Sequence, residues 1–158
     1  MNKAVFVAPL VALFALSPVA ASAGATRLAV AGQKGGTLVL LDLGSRRNNA
    51  GKVEADGLLI FPAPLPATDE APLQTAPDHG RVTLQFDCKA RTIALTRMTI
   101  LGTDNSVMKS DTPTVDPQAP VDPTDAHLLA LACGEAFPEA DKTFTDEKAA
   151  LAAARHAK

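Results

Sequence analysis

The chain carries few residues able to do chemistry. There are two cysteines, Cys88 and Cys133, and three histidines, His79, His127 and His156. Past the first two dozen residues the only serines are Ser45, Ser106 and Ser110. Redox cysteines sit close together, as in Cys-x-x-Cys. These two are 45 apart, a spacing that suits a structural disulfide stabilising by roughly 4 kcal/mol in the chain-entropy model. A zinc site needs further ligands at set spacings, and the sequence does not supply them. No serine lies in a Gly-x-Ser-x-Gly elbow. The glycine-rich stretch Gly32 to Gly36 lacks the Lys-Ser/Thr that completes a phosphate loop and reads as a tight turn. Asp111, Asp116, Asp122 and Asp125 could together attract a hard cation, but their spacing matches no calcium loop. His79 is expected in a turn before a strand, His127 early in a helix and His156 near the terminus, all three solvated. Arg46, Arg47 and Lys52 form a small basic spot suited to contacting an acidic partner. The residues thus predict no catalytic group, no metal site and no cofactor: the chain is not expected to be an enzyme.

The compartment follows from the N-terminus. Met1-Asn2-Lys3 is a short positive start, Ala4 to Leu16 is uncharged and apolar, and Ala21-Ser22-Ala23 is a small-x-small cleavage pattern. This is the form of a secretory signal peptide over residues 1–23, cleaved between Ala23 and Gly24. The apolar run is too short to span a bilayer. No cysteine lies near the cleavage site, so lipid attachment there is chemically impossible. A periplasmic or secreted protein with no membrane anchor after cleavage is expected. In such an oxidising compartment two thiols most often become one disulfide. The net charge is −2 over the whole chain, and one unit more negative without Lys3. That is a poor charge for binding nucleic acid or anionic membranes. Tryptophan and tyrosine are absent. Phe61, Phe86, Phe137 and Phe144 alone could stack on sugars or bases, which counts against a lectin-like role.

The pattern of apolar residues predicts the elements that position these groups. Arg27 to Ala31, Thr37 to Leu43 and Lys52 to Phe61 read as strands, the last bent at Gly57. Gly44 to Gly51 reads as a polar loop, and 62–77, with Pro62, Pro64, Pro66, Pro72 and Pro77, as a surface loop. In Arg81 to Cys88 the residues Val82, Leu84, Phe86 and Cys88 alternate without a break against Arg81, Thr83, Gln85 and Asp87. Thr92 to Leu101 can return antiparallel, and Val107-Met108 can add a short strand. After a second Pro/Asp-rich loop over 110–123, Asp122 can cap a helix that Pro123 begins and Gly134 ends. Leu129 and Cys133 share a face of that helix. A last helix is expected from about Thr145 to Arg155.

The two cysteine contexts carry a family resemblance. Asp87-Cys88-Lys89 closes one strand and Ala132-Cys133-Gly134 ends the short helix. Upstream lie Leu41-Asp42-Leu43, a Ser45-Arg46-Arg47 stretch and the strand from Val53 to Phe61. Over residues 27–134 this resembles the surface-adhesin protein E family of exported bacterial domains. The resemblance implies a small antiparallel sheet packed with helix, with the Asp-Cys cysteine bonded to the Cys-Gly one. It also implies an adhesive role towards host proteins. The chain lacks that family's usual tryptophans and the lipidation cysteine of its founding adhesins.

The expectation is therefore an α+β domain, mostly an antiparallel β-sheet of about five to six strands. A short helix bears Cys133, and a C-terminal helix follows. The divisions are a signal peptide at 1–23, a disulfide-stapled β-rich domain at 24–134 and a C-terminal helical extension at 135–158. The expected role is a non-enzymatic interaction module of the bacterial envelope with an envelope or extracellular protein as partner. The competing reading is a periplasmic hydrolase or small-ligand carrier, which needs a pocket with convergent polar groups.

Overall fold

A computed structural model of the chain describes residues 26–62 and 77–156. The expected signal peptide, its cleavage point at Ala23 and Gly24, and most of the first proline-rich stretch lie outside the described residues.

The strands are β1 (Leu28–Lys34), β2 (Thr37–Asp42), β3 (Arg47–Asn49), β4 (Lys52–Ile60), β5 (Pro77–Asp87), β6 (Thr92–Gly102), β7 (Val107–Asp111) and β8 (Thr143–Phe144). The helices are α1 (Pro123–Cys133) and α2 (Glu147–His156), with a single 3₁₀ turn at Ala140–Lys142. The strands form one antiparallel sheet in the order β7-β6-β5-β4-β2-β1-β8, with β3 also on β4. The helices cover opposite faces, giving three layers: α1, sheet, α2.

Local chemistry explains the connections. β1 and β2 are joined through Gly35 and Gly36 at φ +56° and +82°, the mirror-image turn that matches strand twist and needs glycine. β2 and β3 both pair with β4, so 37–49 is one long hairpin arm interrupted at 43–46. At the break the Asp42 carboxylate accepts from the Gly44 amide at 2.8 Å. The Ser45 hydroxyl takes the amide of Asp56 at 2.8 Å, filling the missing ladder bond.

Eight strands among the described residues replace the five to six expected. The additions are β3 and β8, of three and two residues. Neither is long enough to show a period, and β3 (Arg-Asn-Asn) is polar and fully exposed. Pairing with β4 and β1 makes them strands. β5 begins at Pro77 instead of Arg81, because His79 and Gly80 pair on both sides and Pro77 lies opposite Gly102.

Alternation sorts the strands into two cores. Ala29, Ala31, Val39, Leu41, Ala55, Val82, Leu84 and Phe86 meet Leu128, Leu129, Leu131 and Ala132 of α1. Leu28, Leu40, Leu58 and Ile60 meet Ala150 of α2, with Leu151 and Ala154 at the margin. Phe86 and Leu84 are buried as the period-two pattern requires, while Gln85 and Asp87 are only half-buried.

α1 forms as its sequence directs. Asp122 accepts from the Asp125 amide at 2.9 Å, Pro123 opens the helix, and Gly134 ends it in the left-handed conformation at φ +74°. Its start is tied to β1: Thr124 donates to the Gln33 carbonyl at 3.0 Å and His127 Nδ1 to that of Ala31 at 2.9 Å. The approach is close enough that a Cβ on Gly32 would lie 2.6 Å from Thr124 Oγ1. The far end is held by the Cys88–Cys133 disulfide, with Cα atoms 5.7 Å apart. Beyond residue 134 the chain stays with the same sheet: β8 adds to β1, and α2 crosses the opposite face.

Candidate functional site

α2 covers only part of its face. The rest, across β4, β5 and β6, is an open polar trough. One cleft of about 420 Å³ is lined by Asp42, Asp56, Arg81, Thr83, Arg97, Thr99 and Glu147, among others. It runs into a second of about 290 Å³ beside Arg47, Glu54 and Thr96. The two share Asp56, Thr83 and Arg97.

Register builds this surface. Asp56 lies opposite Thr83, and Thr83 opposite Arg97, one row across three strands. The next row runs Leu58, Arg81, Thr99, Ser110. A third runs Arg47, Glu54, Gln85, Ala94. Arg97 and Thr99 are present only because β6 contains a bulge. Leu84 faces Leu95, but Thr83 faces Arg97, so Thr96 is the extra residue. A one-residue slip exchanges the faces of everything after it. Ile93 and Leu95 point to the α1 side before the bulge, Met98 and Ile100 after it. Thr96 donates its hydroxyl to the Thr83 carbonyl at 3.0 Å, which satisfies an acceptor at the break.

Nearly every polar group in the trough is matched. Thr83 donates to Asp56 at 2.9 Å. Arg47 reaches Glu54 through Nε at 2.8 Å and Nη2 at 2.6 Å. Arg81 grips Glu147 with both prongs, Nε at 2.8 Å and Nη2 at 2.9 Å. This fork holds the Glu147 carboxyl below its ordinary range, against the opposing effect of its partial burial, and raises Arg81. Thr99 and Ser110 hydroxyls lie 3.2 Å apart. Arg97 is different: among the described residues its guanidinium has neither ion pair nor hydrogen bond. An exposed planar fork flanked by hydroxyls is suited to a carboxylate or other planar anionic group.

The residues singled out by sequence scatter. Arg46 donates to the Leu43 and Leu131 carbonyls, both at 3.2 Å, and so steadies the last turn of α1. Arg47 is spent on Glu54, and Lys52 reaches Gln85 at 3.4 Å. Arg46 and Arg47 line one shallow cleft beside the end of α1, and Lys52 is not among its lining residues. Of the four loop aspartates, Asp122 and Asp125 bind Lys34. Asp111 takes the Thr112 amide. Among the described residues no group of three acidic, histidine or cysteine side chains is placed to hold a metal. Ser45 and Ser110 serve the sheet, and Ser106 bonds Asp104.

His79 corrects the expectation of a solvated turn. It sits inside β5, 1% exposed, because Ile60 and Leu101 pair with it on both sides. His127 is half-buried on its bond to Ala31, while His156 is exposed. Arg97 was the residue that sequence reasoning missed. The available signal was the shift of apolar residues from odd positions (Ile93, Leu95) to even ones (Met98, Ile100), which marks the bulge.

No family model matches the chain, and no curated protein matches it. Among solved structures it is similar to protein E from non-typeable Haemophilus influenzae, at 15% identity and a TM-score of 0.42. That match covers 80% of this chain and 92% of the other. At this level of similarity the chemistry of the trough has to come from its own residues.

Proposed function

We propose that this protein is an exported, non-enzymatic binding module that docks an acidic group of an envelope or extracellular protein in the trough. The observation that carries the reading is the unpaired guanidinium of Arg97 amid groups that are otherwise matched across the strands. Side chains on a rigid sheet hold such a fork in place without the ordering cost of a loop. The disulfide supports a periplasmic or secreted location, since such bonds persist where the compartment is oxidising. The resemblance of the two cysteine contexts to the surface-adhesin protein E family points the same way.

The test uses the mature protein against immobilised envelope fractions and matrix proteins, with captured proteins identified and then titrated individually. Arg97→Glu should abolish a saturable interaction, and Lys89→Glu, in the exposed β5–β6 turn, should leave it intact. Equal binding by both variants would overturn the reading. The cleft volume also suits a small ligand, so a small carboxylate that raises the melting temperature in an Arg97-dependent way would favour a carrier instead.

A further inference from the structure

Among the described residues one buried side-chain polar atom lacks a hydrogen-bond partner: Nε2 of His79. Such an atom in a folded protein calls for a physical reason. Nδ1 of this ring lies 2.9 Å from Asp78 Oδ2, and Nε2 lies 3.2 Å from Glu147 Oε1, close but off the direction of a hydrogen bond. Both ring nitrogens therefore face carboxylate oxygens. An ionised carboxylate only accepts, and a neutral imidazole has a single N–H. In the neutral ring one nitrogen must turn its lone pair towards a carboxylate. With a proton on each nitrogen both contacts become attractive, and a small turn of Glu147 completes the second bond.

The surroundings define the charges. Asp78, 4% exposed, also binds Arg155 of α2. Glu147 is held by Arg81. β4 and β6 bring only Ile60 and Leu101 opposite the ring. Arg81 and Arg155 are 56% and 39% exposed, so water screens them. The ring is sealed against the two carboxylates. α2 is otherwise thinly attached: Ala150 is its one fully buried residue, with Leu151 and Ala154 half-buried.

We propose that His79 is a proton-operated latch that ties β5 to the first turn of α2 through Asp78 and Glu147 when doubly protonated and loosens that helix when it loses the proton. Histidine changes charge between about pH 5 and 8. Only the docked helix sets a carboxylate before each ring N–H, so the contacts that hold it are complete at the low end of that range and weaken as pH rises. Glu147 sets the acid limit. Arg81 first, and then the charge of His79, hold its carboxyl low. Its contribution is present above the ordinary glutamate value of about 4.3 and is lost as pH falls through the lowered one. The latch is thus closed in mildly acidic medium. Because Glu147 also lines the trough, the same proton positions one wall of the cleft, whatever the cleft binds.

Hydrogen exchange on the mature protein, corrected for intrinsic rates, tests this. Protection of α2 amides should fall by roughly tenfold between about pH 5.5 and 8, the range in which histidine loses its charge, while α1 amides stay constant. His79→Gln should remove the pH dependence. His156→Gln, at the exposed end of the same helix, should keep it. Flat α2 protection in the unaltered protein, an unchanged slope in His79→Gln, or loss of the slope in His156→Gln would each overturn the latch. Should His79→Gln fail to fold, nitrogen-15 shifts of the His79 ring decide. Both nitrogens should be protonated at about pH 5.5, and a neutral ring there overturns the proposal.

Discussion

The two faces of this sheet are built from the same strands and do different work. On the α1 face, side chains from β1, β2, β4 and β5 are apolar and buried, and a covalent bond closes the layer at Cys133. On the α2 face, the same strands supply an apolar strip only under the helix; beyond it lie a buried ionic cluster and an open polar trough. One face is held mainly by apolar burial, and the other by a narrower apolar strip together with matched charges. On the proposed reading the difference separates stability from recognition within one layer of backbone: the α1 side tolerates little change, and the α2 side is where variation would alter binding.

The largest expected effect lies on the α1 face. Phe86 is fully buried at its centre, and Phe86→Ala should destabilise by about 3–5 kcal/mol in denaturant titration. Leu58→Ala, equally enclosed on the α2 face, should sit near the lower end of the roughly 2–5 kcal/mol range for such changes, because the lightly held helix can settle into the gap. A larger loss at Leu58 than at Phe86 would reverse the comparison. Next comes the staple. Replacing Cys88 and Cys133 together by serine should cost about 2–4 kcal/mol, and calorimetry of the double variant checks it. Loss below about 1 kcal/mol would mean that burial alone holds α1 to the sheet.

Much of the α1 face was legible in sequence, because its signals are periodic or local. The alternation read over Arg81 to Cys88 holds in β5 as far as Asp87, with Cys88 half-buried in the turn that follows, and the Asp122-Pro123 start and Gly134 stop bound α1 as read. The α2 face was less legible for three identifiable reasons. Pro77 and Gly80 flank His79 with turn residues, and only pairing with β4 and β6 draws that stretch into a strand. β3 and β8 are too short for any period. Arg46 and Arg47 are neighbours in sequence, but one serves the end of α1 and the other the trough. The bulge at Thr96 lies between the two cases: its trace is a phase change in the apolar pattern, visible once bulges are looked for.

The ionic cluster sharpens the contrast at a smaller scale. Asp78→Asn removes the charge that Arg155 and His79 both address. Leaving buried polar groups less well matched typically costs about 1–3 kcal/mol. The loss should appear in exchange of α2 amides and leave α1 protection unchanged. Equal loosening of both helices would show that the cluster supports the whole fold and that the two faces are energetically one.

The smallest effect on stability belongs to the residue expected to matter most for binding. Arg97 is exposed and, among the described residues, without a partner, so Arg97→Ala removes no ion pair or hydrogen bond. Its effect on the denaturation midpoint should stay within the roughly ±0.5 kcal/mol typical of surface changes. Arg47→Ala makes the companion measurement. It breaks the pair with Glu54, whose partners are 58% and 22% exposed, and exposed pairs contribute about 0–1 kcal/mol. The two variants should therefore be nearly as stable as the unaltered protein and as each other. They should separate in binding: Arg97→Ala weakens capture of an acidic partner, while Arg47→Ala frees Glu54 to repel it and weakens capture further as salt is lowered. A stability loss at Arg97 of the size seen at Asp78 would mean that its guanidinium is already engaged within the fold. The trough would then be as fully matched as the core beneath it, with nothing left over to recognise a partner.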